Sequence, residues 1–447
     1  MTDIRYKDIQ IFILFYLLLI FSVCLWCFHR QASINFVFQY SLLFFLSYLF
    51  FCVRNTKISP LSPSMLIIHY MVVESIGIPL CYYLNPDFYD LRINRTKMFY
   101  GDYLSSYVFL SSIAIIVLLL SLLFFAHDNK ERIDTETEQE NASATQNEKN
   151  YYYIIGLILL IMYAIFTFYG AVTGKLALFD YSLYKTSGSR LGNYLERGYW
   201  FATIFVCGAG SKRQILKALP FFAVSSIILV LAGNRNDVYY PFLIGLGMYY
   251  MRFKSIPYLF WSILFILVFF ASPLIILYRN QQDITLDMFS PISLLGESFF
   301  ELGGQLTAVS HMFTWLESGS GFAYGMTYLL GIAGSLIYPL HLPILEVITN
   351  SEYWIGSKIT AIGFAMFAEL YYNFGFVGMI LSYVAIGYII SDQNYSKSNL
   401  DKMILKSYIC LWILFLIRNS FAFSFVYFMM FLSLYFFEKL LRMIYNK

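Results

Sequence analysis

The feature that most constrains this chain is the return, from one end to the other, of apolar runs close to the length of a membrane span. A helix of about 20 residues rises about 30 Å, the thickness of the hydrocarbon layer of a bilayer. Twelve candidate spans lie between charged breaks, near residues 9–28, 34–53, 64–84, 104–126, 151–169, 198–210, 218–232, 238–251, 257–278, 361–390, 403–417 and 420–437. Only 13% of the 447 residues are charged, about half of what a soluble domain carries. That is too little charge to cover soluble surfaces. The expected fold class is therefore all-α, a polytopic integral membrane protein with about twelve transmembrane helices. The first span is followed by His29 and Arg30 and by no small-residue cleavage site, so it is expected to stay in the membrane. The two halves show no internal repeat.

Basic residues set the orientation. With the N-terminus inside, 18 Lys and Arg face the cytoplasm and 12 face outward, although the outer loops are much longer. An N-in, C-in arrangement is favoured. The chain then divides into four spans (1–126), a polar cytoplasmic linker (127–150), spans five to nine (151–278), a large outer loop (279–360) and the C-terminal spans (361–447). The linker, HDNKERIDTETEQENASATQNEKN, has no apolar period and reads as disordered. The outer loop, some 80 residues long, contains apolar helix-like pieces. It is long enough to lie over the membrane face as a lid or as a half-buried helical hairpin.

Several chemistries are excluded. A net charge of +3 gives no support for a nucleic-acid partner. The Cys24 and Cys27 pair sits mid-span with no further ligand for a zinc set. There is no Walker A motif, no Rossmann glycine fingerprint, no HExxH and no GxSxG. No metal site and no cofactor are expected.

What remains is an asymmetry of cations. Six of the 18 inner basic residues are Arg, but eight of the 12 outer ones are: Arg30, Arg92, Arg95, Arg190, Arg197, Arg235, Arg279 and Arg418. Topology is served equally well by Lys, whereas guanidinium groups grip phosphates bidentately. Arg190, Arg197, Arg235, Arg279 and Arg418 are the candidates for binding a diphosphate. Arg235 stands out because Ala218–Ala232 and Val238–Met251 are short spans of 15 and 14 residues, reaching only about 22 Å. The GNRND turn is then expected below the outer surface, with Asp237 either a bystander whose Asn variant is mild or the partner of Arg235.

Carboxylates are few. Glu74 lies mid-span, about 140° round the helix from His69, so the two do not form one constellation. Glu369 has Asn373 one turn further on the same face. In the outer loop Glu297, Glu301 and Gln305 fall at i, i+4 and i+8, a polar stripe read as a solvated or interfacial face, with His311 beyond it. His341 sits between two prolines in YPLHLP, and Tyr181, Tyr184, Tyr194, Tyr324 and Tyr328 supply aromatic rings.

The segments ESFFELGGQLTAVSHMF, GFAYGMTYLLG with Pro339 after it, and GFAMFAELYYNFGFVGMILSY resemble the Wzy-type repeat-unit polymerases of O-antigen and capsular polysaccharide. The likeness covers roughly residues 297–390 in motif, and elsewhere it is architectural. It implies a GT-C-like glycosyltransferase of the bacterial cytoplasmic membrane, with its large outer loop between the ninth and tenth spans. Such an enzyme joins undecaprenyl-diphosphate-linked oligosaccharides on the outer face, with the bilayer and a chain-length regulator as further partners. Glu301, His311 or Glu369 would then be the base for the acceptor hydroxyl, while Tyr324, Tyr328 and Asn373 would meet the glycan. The alternative is a flippase for the same lipid-linked units. It would favour repeated halves and short outer loops. An acyltransferase would need an intramembrane His, for which only His69 near Glu74 is available.

Overall fold

The computed structural model describes residues 2–55, 58–84, 103–140, 146–178, 190–234, 236–253, 290–337, 344–351, 353–354, 364–391 and 400–445. Among them there are fifteen α-helices and no strand. They are α1 (Thr2–Phe28), α2 (Ile34–Arg54), α3 (Pro63–Leu84), α4 (Leu104–Glu140), α5 (Gln146–Val172), α6 (Arg190–Ala209), α7 (Lys212–Leu231), α8 (Asn236–Phe253), α9 (Pro291–Gly303), α10 (Leu306–Glu317), α11 (Met326–Ile337), α12 (Ile344–Thr349), α13 (Met366–Ile390), α14 (Leu400–Leu416) and α15 (Phe421–Tyr445).

Seven helices contain stretches long and apolar enough to cross a membrane, in α1, α2, α3, α4, α5, α7 and α13. Each coincides with an expected span. The expected spans in α6, α8, α14 and α15 are helical as well, and 257–278 lies outside the described residues. The chain is a multi-pass membrane protein.

Burial sorts the bundle into a centre and a rim. The spans of α3 and α4 are 78% and 83% buried, whereas those of α1 and α7 are 28% and 22% buried. The rim helices expose large apolar side chains such as Ile13, Leu17, Leu216 and Ile227. In water such a surface would aggregate; against lipid it is the expected composition. Close helix crossings use small residues, as membrane packing requires. A side chain on Gly77 of α3 would run into Gly303 of α9, one on Gly331 of α11 into Ala422, and one on Gly387 of α13 into Ser121.

Two local features differ from the sequence reading. α7 begins at Lys212, six residues earlier than expected, behind a capping box in which Ser211 accepts from the Gln214 N–H and the Gln214 side chain accepts from the Ser211 N–H. Its 20 residues rise about 30 Å, a full crossing. The short-span argument for a recessed 232–236 turn therefore fails on the α7 side. In the polar linker, α4 continues to Glu140 and α5 starts at Gln146. Most of that stretch is helical, and 141–145 lie outside the described residues.

In the large loop, α9 starts behind the Ser290 cap with Pro291 at its first position. It packs along α3, and α10 turns back to meet α4 and α13. The stripe expected on a solvated face is turned inward: Glu297 and Gln305 are buried and Glu301 is half-buried.

Candidate active site

Polar side chains gather near helix ends of the bundle in three places that bear on a candidate site. The first is a clasp between the start of α11 and the start of α13. Gly375 breaks α13 with φ 64° and ψ −163°, a conformation that only glycine adopts readily. The break frees carbonyls that the helix would otherwise satisfy, and inside a membrane protein such groups must find partners. Tyr372 O accepts from the Ala323 N–H (2.9 Å) and Asn373 O from the Tyr324 N–H (3.0 Å). The Asn373 side chain completes the join. Its Oδ1 accepts from the Gly325 N–H (3.0 Å), and its Nδ2 donates to Thr327 Oγ1 (2.7 Å) and to Glu369 O (2.8 Å).

Glu369 serves the same clasp. Oε1 accepts from Thr327 Oγ1 (2.9 Å) and Oε2 from the Phe421 N–H (2.7 Å), the first residue of α15. A carboxylate at a helix N-terminus is well placed electrostatically. Glu369 is 1% exposed and Asn373 fully buried. These two, expected as a base and a glycan contact, are bonded to the loop that follows Tyr324 and to the start of α15. That tyrosine stands out, 79% exposed and at φ 48°, a left-handed conformation unusual for a bulky residue. Tyr328 lies inside the clasp, stacked on Phe374 at 5.8 Å and edge-on to Phe421 at 4.9 Å.

The second place is a buried ionic cluster under the GNRND turn. Arg197 of α6 donates from one NH group to Asp237 Oδ1 (2.7 Å) and from the other to the Tyr427 hydroxyl (3.0 Å). Its guanidinium also lies over the rings of Tyr427 (3.9 Å) and Trp200 (4.5 Å). The Asn234 amide donates to Asp237 Oδ2 (2.6 Å) and to Glu196 Oε1 (2.9 Å). Burial alone would raise the Asp237 carboxyl, but the Arg197 charge and the bonds from Glu196, Asn234 and Arg197 bring it below its ordinary value. Both Asp237 oxygens are thus taken, by Arg197 and Asn234. Asp237 is therefore not idle; Arg235, its other expected partner, lies outside the described residues. Arg197, expected to meet a diphosphate, is neutralised and enclosed.

The third place is the end of α14. Arg418 follows the last turn of that helix and is half-buried. Among the described residues no carboxylate lies within ion-pair distance of it. Its neighbours are Tyr70, Tyr240 and, further off, Glu74. The Tyr70 and Tyr240 hydroxyls meet at 3.4 Å. Ile417, with Met71, Glu74, Tyr107, Met366, Phe367 and Tyr383, lines a small and mainly apolar cavity of about 20 Å³, to which Arg418 itself does not contribute. His69 does not share it. Its Nδ1 meets the Tyr48 hydroxyl (2.5 Å) and its Nε2 the Pro60 carbonyl (2.8 Å), which leaves the acyltransferase reading without its histidine.

Of the remaining expectations, His311 is half-buried beside Trp315, with rings 6.2 Å apart. Burial holds its imidazole below the ordinary range, so it is neutral near pH 7. Glu301 is half-buried on α9. Arg279, His341, Tyr181, Tyr184 and the side chains of Arg190 and Tyr194 lie outside the described residues. Thr327, Asp237, Asn234 and Tyr240 were not singled out as site residues from sequence, because their partners lie 38 to 170 residues away.

The family model for the O-antigen polysaccharide polymerase Wzy matches residues 9–445. Protein CapE of Staphylococcus aureus is 28% identical over 244 residues, 52% of this chain and 53% of that protein. The chain thus spans about half the length of this curated relative. No solved structure matches. From a match that runs through every helix described above, the chain belongs to the O-antigen polysaccharide polymerase Wzy family.

Proposed function

We propose that this protein polymerises undecaprenyl-diphosphate-linked oligosaccharide repeat units into O-antigen or capsular polysaccharide on the outer face of the bacterial cytoplasmic membrane. The reading rests on family membership together with one observation: Arg418, half-buried beside Tyr70 and Tyr240, has no carboxylate in ion-pair range among the described residues. In the reaction, the acceptor's terminal hydroxyl attacks the anomeric carbon of the donor glycan. The bond from that carbon to the diphosphate oxygen breaks, and the electron pair leaves with the lipid diphosphate. Arg418 holds the developing charge with a bidentate grip. Arg190, Arg235 and Arg279 remain further diphosphate candidates. Arg197 is not one of them, because its charge is spent on Asp237. Glu369 and Asn373 keep the Tyr324 loop in place, and the exposed Tyr324 ring offers a flat face on which a sugar can stack.

Deletion of the gene tests the reading. A polymerase leaves single repeat units on the surface glycan, and complementation with Arg418→Ala does the same at matched protein level. Arg418→Lys restores little, since an ammonium cannot grip two oxygens in a plane. Complete absence of repeat units in the deletion strain would favour the flippase, and normal chains from Arg418→Ala would remove that residue from the site.

A further inference from the structure

We infer that the apolar cleft between α5, α6, α7 and α8 holds an acyl chain of an anionic phospholipid, whose phosphate is met by Lys212 and Arg252. α7 packs along α5 and α8 along α6, while α7 touches α6 and α8 only lightly. The gap left between the two pairs is a cleft of about 410 Å³, a size typical of small-ligand sites. Leu160, Val206, Leu216, Leu219, Phe242 and Leu246 are among its lining residues, and no charged side chain is. The lining runs from Ile215 to Phe222 on α7 and from Phe242 to Tyr249 on α8, about 10 Å of helix. Leu216 and Leu219 are 61% and 51% exposed, so the cleft opens sideways to lipid.

Its two ends differ. Toward Ala232 it is closed: Phe222 stacks on Tyr199 at 5.1 Å, and the Tyr199 and Ser226 hydroxyls hydrogen-bond at 3.0 Å. At the other end Tyr249 meets the Phe253 ring at 4.9 Å. Over that ring lie both Lys212 Nζ, at 5.4 Å, and the Arg252 guanidinium, at 4.7 Å. Lys212 stands one turn before Ile215 and Leu216 on the same face of α7. Arg252 is anchored by Nη1, which donates to the carbonyls of Gly210 and of Cys207, itself a lining residue. Among the described residues no carboxylate lies within ion-pair distance of either cation. Two cations at the mouth of an apolar cleft between helices match a lipid phosphate with its chain inside. A neutral lipid would leave both without a counter-charge. In the arrangement that the basic residues favour, this end of α7 is cytoplasmic, so the lipid comes from the cytoplasmic leaflet. The competing occupant is the polyprenyl chain of a lipid-linked substrate. Its headgroup belongs at the opposite face, from which the closed end of the cleft bars a descending chain, and it gives the two cations no role.

The test uses the full-length protein in mild detergent. Native mass spectrometry measures the retention of added phosphatidylglycerol against phosphatidylcholine of the same chain length. Wild type is expected to retain one phosphatidylglycerol in preference. Lys212→Ala should lower that preference about fivefold, the contribution of one cation near a membrane surface. Lys217→Ala, on the opposite face of α7, should leave it unchanged. Leu216→Trp fills the cleft from a lipid-exposed position and should lose the retained phosphatidylglycerol; if it fails to reach the membrane, Leu219→Trp carries the same expectation. Equal retention of the two lipids by wild type overturns the inference, as does an unchanged preference in Lys212→Ala or in the tryptophan variant. Retained undecaprenyl phosphate that the tryptophan removes and phosphatidylglycerol does not displace overturns it too, and gives the cleft to the prenyl chain.

Discussion

Replacing Asp237 by Asn tests the energetic logic of the bundle end. The substitution keeps the size of the side chain but removes the charge that Arg197 faces at 2.7 Å. Arg197 is 8% exposed and Asp237 7%, so neither charge has water to fall back on. Breaking a buried pair by removing one partner costs roughly 3–5 kcal/mol. Three features pull the value toward the lower end. The Tyr427 hydroxyl still accepts from Arg197, the rings of Tyr427 and Trp200 still cover it, and Glu196 lies 3.9 Å away as a second carboxylate. We expect a loss of about 3 kcal/mol, a large share of the 5–15 kcal/mol that typically holds a domain together. A denaturant titration in mixed micelles reads this directly. Arg197→Met combined with Asp237→Asn should recover part of the loss, because no buried charge is then left alone. A change below about 0.5 kcal/mol for Asp237→Asn, the range of ordinary surface substitutions, would refute the reasoning.

The pH response of the same pair has a defined sign: the folded-state pKa of Asp237 lies below its ordinary value, so its stabilisation is present above about pH 4 and lost as the pH falls further. The acid side of the stability curve should therefore flatten in Asp237→Asn. Asn373→Ala leaves the Gly325 N–H and Thr327 hydroxyl of the clasp short of a partner and should cost about 1–3 kcal/mol, measured by the same titration. Gly375→Ala should be worse than Asn373→Ala, because the backbone there, at φ 64° and ψ −163°, is strained for any side chain. Tyr324→Ala should leave stability and membrane level unchanged while shortening the polymer on a glycan gel, since the ring is exposed.

Much of the architecture was legible because apolar length is a local signal. All seven candidate membrane helices coincide with runs that were read directly. The start of α7 was missed because Lys212, Arg213 and Lys217 looked like a flanking loop. Long cationic side chains can lie along a helix and keep their charges at the interface, so they do not end one. The site was less legible. The i, i+4 spacing of Glu369 and Asn373 placed both on one face, but nothing in it distinguished a base from a brace. The partners that bear on that choice, Thr327 and Phe421, are 42 and 52 residues from Glu369. Arg197 and Asp237 are 40 residues apart, and Tyr70 and Tyr240, the neighbours of Arg418, are 170 apart. Pairings of that kind follow from helix packing alone, and single-sequence periodicity carries no record of them.

The most direct measurement of the central claim is the stoichiometry of the reconstituted reaction. Purified protein in lipid vesicles, supplied with lipid-linked repeat units, should release one undecaprenyl diphosphate for every glycosidic bond formed, and Arg418→Ala should release almost none. Movement of intact lipid-linked units across the vesicle wall, with no lipid diphosphate released and no chain growth, would contradict the account.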